Sequence, residues 1–145
     1  MSPVARSRVA WIVLAVAIVV LFQRHELFGT GVWSISVQVA AGLLWVWARV
    51  VFGRRSFHGS ADPTTGGLVT HGPYRLLRHP IYASLLYFVW AGVAAHPSWV
   101  SVGCGLVATA GVSARILDEE RLLATTYPAY AAYATRTRRV IPFLL

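Results

Sequence analysis

His71-Gly-Pro-Tyr-Arg-Leu-Leu-Arg-His-Pro-Ile-Tyr82 sets cationic, imidazole and phenolic side chains directly before an apolar run that continues to Ala95. Pro80 suits the first turn of a helix, where its missing N–H would be unsatisfied anyway and its fixed φ is already helical. The run ends at His96-Pro97-Ser98, and a second apolar run leads to Arg115-Ile-Leu-Asp-Glu-Glu120. So short a turn makes the two runs antiparallel, and both polar clusters then emerge at one end.

Outward from this hairpin, four apolar stretches are read at roughly 9–22, 31–52, 81–95 and 98–117. A spanning helix needs about 20 residues. The first and third are short, which arginine snorkelling and local bilayer thinning accommodate. The expected fold is all-α: an integral membrane bundle of about four transmembrane helices with a C-terminal interfacial helix on the cytoplasmic side, a single domain over 1–145. The composition agrees, with 57% hydrophobic and 12% charged residues and a mean hydropathy of +0.60, against about a quarter charged in soluble domains.

All 13 basic residues are arginine, and against five acids they give a net charge of +8. A nucleic-acid binder would not thread its arginines between hydrophobic spans, so the expected partner is the membrane and its anionic lipids, not nucleic acid. Arg6 and Arg8 precede the first stretch; Arg54, Arg55, Arg75 and Arg78 lie between the second and third; Arg121, Arg136, Arg138 and Arg139 follow the fourth. By the positive-inside rule both termini and the central loop face the cytoplasm, and Trp11, Trp33 and Trp99 suit interfacial anchoring. Gln23-Arg24-His25-Glu26 follows the first stretch where a cleavage site would need small residues, so that stretch reads as an uncleaved anchor. No feature of the sequence sets an oligomeric state.

The loop from Gly53 to about Thr70 carries Asp62-Pro63-Thr64-Thr65-Gly66-Gly67, a turn-forming stretch able to close over a ligand. In the tail, Leu122, Leu123, Thr126, Tyr127, Tyr130 and Tyr133 recur at helical spacing with Pro128 between them, which predicts a kinked helix or two short ones at the membrane surface. No histidine or cysteine cluster has metal-ligand spacing, His71 and His79 being separated by a proline-bearing turn, and no metal is expected. Cys104 reads as a packing residue. Arg115 stands one helical turn before Glu119, at the spacing of an i, i+4 contact. Acids at the C-terminal end of a helix oppose its macrodipole, so Glu119 and Glu120 call for a cationic ligand group.

Leu68-Val69-Thr70-x-Gly72-x-Tyr74-x3-Arg78-His79-Pro80-x-Tyr82, then Glu119-Glu120-x-Leu122 and Tyr127-x2-Tyr130-x2-Tyr133-x2-Arg136-x5-Pro142, resembles the isoprenylcysteine carboxyl methyltransferases, which belong with the phospholipid methyltransferases. The resemblance covers about residues 66–145. It departs from the usual pattern at Ser84, where glycine is common, and at Tyr127-Pro128, where Phe-Gly is common. It implies a helical membrane enzyme using S-adenosylmethionine. Gly67, Leu68, Val69 and Tyr74 would line the cofactor pocket, with His79, Pro80, Ile81 and Tyr82 as its wall. Glu119 would face the amino-acid part of the cofactor, Arg115 would contact substrate, and Arg78 and Glu120 would support the cofactor site. Arg115 and Glu119 are thus the expected catalytic pair.

The residue chemistry agrees with that reading, since a sulfonium, an ammonium and an adenine call for an acid and aromatic walls. A lipophilic or lipid-linked acceptor carboxylate needs no general base, being ionised already. An amine acceptor, as on a phospholipid, would need one, with Glu120 or His79 as candidates. Arginine without lysine suggests a bacterial source and hence its inner membrane. An NADPH-dependent membrane reductase would need added basic groups for the 2′-phosphate. A non-catalytic four-helix scaffold would leave the two polar clusters without a role.

Overall fold

The computed structural model describes residues 3–53 and 67–141, so Arg54, Arg55, the loop through Asp62 to Gly66, and Pro142 lie outside the described residues. Five α-helices follow in order: α1 (Pro3–Gln23), α2 (Val32–Phe52), α3 (Pro80–Ala95), α4 (Trp99–Thr126) and α5 (Tyr130–Arg136), with a 3-10 turn at Gly72–Arg75 before α3. Among the described residues the sole strand-like feature is a parallel bridge between Leu77 and Arg138. Pro80 opens α3 as expected. Ser98 caps α4 by accepting from the Ser101 N–H, which satisfies one of the four free donors of the first turn.

α2 (Val32–Phe52) and α4 (Trp99–Thr126) are each long and apolar enough to cross a bilayer; Ser7–Gln23 and Pro80–Ala95 are apolar but shorter. α4 runs on past the expected end near Leu117 because Asp118–Thr126 holds no proline or glycine to stop it; Pro128 then breaks the chain before α5. The tail is therefore one helical extension and one short helix.

α2 packs on α3, α3 on α4, and α4 on α1, so α1 finds its main partner in α4 rather than in its chain neighbour. The core between them is Leu14, Leu21, Leu86, Val89, Ala108, Val112 and Ile116. Cys104 is half-buried against this core, while Trp99 is almost fully exposed, as an interfacial residue would be. At the end remote from the polar clusters, Gln38 ties three elements together. Its amide donates to the carbonyls of Leu27 (2.8 Å) and Phe88 (3.1 Å) and accepts from the Gly29 N–H at 2.9 Å. A buried amide is tolerated in an apolar helix because every such bond is made.

Candidate active site

The antiparallel α3–α4 pair brings the two polar clusters together, and the adjacent acids part company there. Glu120 is held by cations: Arg139 Nη2 at 2.9 Å and Nε at 3.0 Å, and Arg78 Nε at 3.1 Å. His79 Nε2 lies 3.4 Å from the same carboxylate, an ionic contact only when the ring is protonated. Arg78 Nε, His79 Nε2 and Glu120 Oε1 are shut off from solvent and make no aligned hydrogen bond, so the Arg78–Glu120 contact is a charge pairing. Burial pushes the Glu120 carboxyl up, but the His79 and Arg139 contacts and the Arg78 charge outweigh it and hold it at about 2.

Glu119 points elsewhere. Among the described residues no cation forms a salt bridge with it, and it faces the Tyr82 hydroxyl and acts by its charge on Tyr74. Burial first, and then Glu119, raise the Tyr74 phenol above its ordinary value. Phe52 at the end of α2 stacks on Tyr74, with ring centroids 5.5 Å apart at 28°. Arg49, one turn earlier, sits over Trp45 and within electrostatic reach of Tyr74. Neither residue stands in the sequence pattern, although a lone arginine inside the apolar stretch 31–52 was a usable signal for Arg49.

Arg115 does not turn to Glu119. It is buried, its Nε donating to the Tyr82 hydroxyl at 3.1 Å and its Nη1 to the Ser7 carbonyl at 3.3 Å and the Ser7 hydroxyl. The guanidinium lies 4.5 Å from the Trp11 ring centroid and 5.8 Å from that of Tyr82. The i, i+4 spacing thus becomes a tie to α1, and Trp11 serves as a face for a cation. No carboxylate neutralises this buried charge among the described residues. Tyr82 therefore stands between an unmatched cation and an unmatched anion. Ser7 carries no local signal that would have marked it, and Trp11 reads in the sequence only as an interfacial anchor.

Of the remaining expected residues, Gly67 has φ +77 and leads with half-buried Leu68 and Val69 into the turn that carries Tyr74. Pro80 is buried and Ile81 half-buried in the first turn of α3. The tail closes over this region. Tyr133 donates to the Tyr74 carbonyl at 2.7 Å, Arg78 Nη1 to the Ala134 carbonyl at 2.8 Å, and Tyr87 to the Val140 carbonyl. The Arg78 and His79 N–H groups donate to the carbonyls of Arg138 (2.6 Å) and Arg139 (3.1 Å), and the Arg138 N–H returns to Leu76 at 3.1 Å. Among the described residues no group of histidine, cysteine and acids could hold a metal ion.

The sequence model of the phospholipid methyltransferase family matches residues 27–130, a stretch that contains both polar clusters and the hairpin between them. The cobalt-zinc-cadmium resistance protein CzcN of Cupriavidus metallidurans is 38% identical over 78 residues, which cover 53% of this chain and 36% of that protein. The chain thus matches little more than a third of the length of that relative. No solved structure matches it.

Proposed function

The chain belongs to the phospholipid methyltransferase family, and from that premise we propose that it transfers a methyl group from S-adenosylmethionine to a carboxylate on a lipophilic, membrane-borne acceptor. The observation that carries the reading is the pair of separately unmatched charges on either side of Tyr82, Arg115 and Glu119. Arg115 is buried and Glu119 half-buried, and neither has an opposite charge paired with it among the described residues, so each is a place where a ligand of opposite charge gains most.

The cofactor fits the donor set. Glu119 offers a carboxylate to the ammonium of its amino-acid part, and Tyr74 and Tyr82 offer aromatic faces to a sulfonium or an adenine. Leu68 and Val69 supply apolar wall. When bound, S-adenosylmethionine supplies an electrophilic methyl group on a sulfonium centre. The protein's own contribution is positional. Arg115 orients the acceptor carboxylate through a charge-assisted hydrogen bond, and Tyr82, already bonded to Arg115, fixes the spacing between the two sites. In-line placement and exclusion of water by Trp11, Tyr74 and the tail then supply the acceleration, because an ionised carboxylate needs no proton removed.

An amine acceptor fits this arrangement less well, since a protonated amine would approach the Arg115 guanidinium against its charge. The four apolar helices act as four membrane spans in this reading, with the polar clusters at the cytoplasmic end, where the soluble cofactor enters while the acceptor arrives laterally from lipid. The test is calorimetric binding of S-adenosylhomocysteine to detergent-purified protein, followed by labelled methyl transfer to a long-chain carboxylic acid and to the matching amine. We expect saturable binding and transfer to the acid, with the transfer lost in Arg115→Met. Methylation of the amine alone would overturn the acceptor assignment, and absence of binding would overturn the enzyme.

A further inference from the structure

The tail does more than cover the site. Its backbone is paired with the segment that builds the site's wall, through the Arg78–Arg138, His79–Arg139 and Arg138–Leu76 bonds. In and beside this paired strip Arg75, Arg136 and Arg138 are all exposed, and no acid forms a salt bridge with any of them among the described residues. Leu76, next to Arg75, and Ile141, three residues past Arg138, are exposed at 56% and 38%. Cations interleaved with exposed aliphatic side chains are the pattern of a surface that sits in lipid headgroups.

The height of the strip supports that occupant. Gly72 adopts φ +59, and a Cβ there would lie 2.8 Å from Val51 Cγ2 and 3.4 Å from Trp47 Nε1, so the turn before Arg75 is pressed on the last turns of α2. Trp47 and Val50 on those turns are themselves exposed. The turn that leads to Arg75 therefore lies against the apolar end of α2.

We propose that Arg75, Arg136, Arg138, Leu76 and Ile141 form a docking surface for anionic lipid headgroups, and that its occupancy holds the tail strip against Leu76–His79. The proposal stands on these paired segments and not on the chemistry assigned to the site. Each arginine near an anionic leaflet strengthens attachment about five-fold. Lipid charge thereby sets how often the wall of the site opens.

The experiment is hydrogen exchange on the full chain in nanodiscs of phosphatidylcholine, compared with a phosphatidylglycerol-rich mixture, read at the Arg78, His79 and Arg138 amides. Exchange at these amides should slow about five-fold or more in the anionic membrane, while amides in the middle of α3 stay unchanged. The double variant Arg75→Gln/Arg138→Gln, whose exposed side chains form no ion pair among the described residues, should lose that difference. Equal exchange in the two membranes for the wild type would overturn the proposal, as would a double variant that keeps the full difference. Because no cofactor enters the measurement, its failure leaves the methyltransferase reading standing, and the reverse also holds.

Discussion

Replacing each of two neighbouring acids by its amide separates binding from folding, because Glu119 and Glu120 differ by one residue and by everything they touch. Glu119→Gln keeps the shape and removes a charge that no cation in the described structure pairs with. The fold should not register it, and the melting midpoint should stay within error. A charge-assisted contact to the cofactor's ammonium is worth about 1.5–3 kcal/mol, so S-adenosylhomocysteine should bind about 10- to 150-fold more weakly. Glu120→Gln takes the counter-charge from Arg78 at 3.1 Å and Arg139 at 2.9 Å. Breaking a fully buried pair costs about 3–5 kcal/mol. Arg139 is 44% exposed and screened by solvent, so about 2 kcal/mol is the reasoned loss here. The assay is thermal unfolding in detergent beside calorimetry of the same preparations. If Glu119→Gln melted early, or if Glu120→Gln bound weakly while melting like wild type, the division of labour between the two acids would be refuted.

The low Glu120 carboxyl sets a pH dependence. Its folded value near 2 lies below the ordinary 4.5, so its stabilisation is complete above about 4.5 and is lost as pH falls through 2. Melting midpoints should drop across that window in wild type and much less in Glu120→Gln; parallel curves would contradict the pairing. Gly72→Ala forces a side chain at φ +59 against Val51, at a cost of about 1–3 kcal/mol. We expect it to weaken S-adenosylhomocysteine binding through displacement of Tyr74, so unchanged affinity would show that the turn does not position the site. Gln38→Leu strips partners from the Leu27 and Phe88 carbonyls and the Gly29 N–H, with about 1–3 kcal/mol lost for each group left unsatisfied. Its melting midpoint should fall while the affinity of the remote site stays unchanged.

The hairpin of α3 and α4 was legible because it rests on local chemistry: Pro80 at a helix start, Ser98 at the next, and apolar runs whose ends carry the polar clusters. That the clusters meet follows from the short turn alone. What each member touches was not legible. Glu119 and Glu120 look equivalent in the sequence, and only the placement of Arg78 and of Arg139, far along the tail, decides which acid is neutralised. Arg115 has Glu119 at the correct spacing, yet Ser7, Trp11 and Tyr82 together offer three oxygens and two rings, and that competition is settled by α1, more than a hundred residues away. The extension of α4 to Thr126 contradicted no propensity; it lay hidden because charge, not helix-breaking chemistry, marked the end of the apolar stretch. Gln38 passed unnoticed as a single polar residue whose partners lie in a loop and on another helix.

The order of neighbours in the bundle has a consequence for how the protein is made. α1 leaves the ribosome long before α4, the helix it packs against, and Leu14 and Leu21, buried in the finished core, lack that partner in the interval. Arg115 arrives with α4 and binds Ser7 and Trp11, so the last long helix carries the bolt that fastens the first. A chain halted after α3 would hold a formed α2–α3 pair and a stray α1, a species that quality control could distinguish from the finished protein.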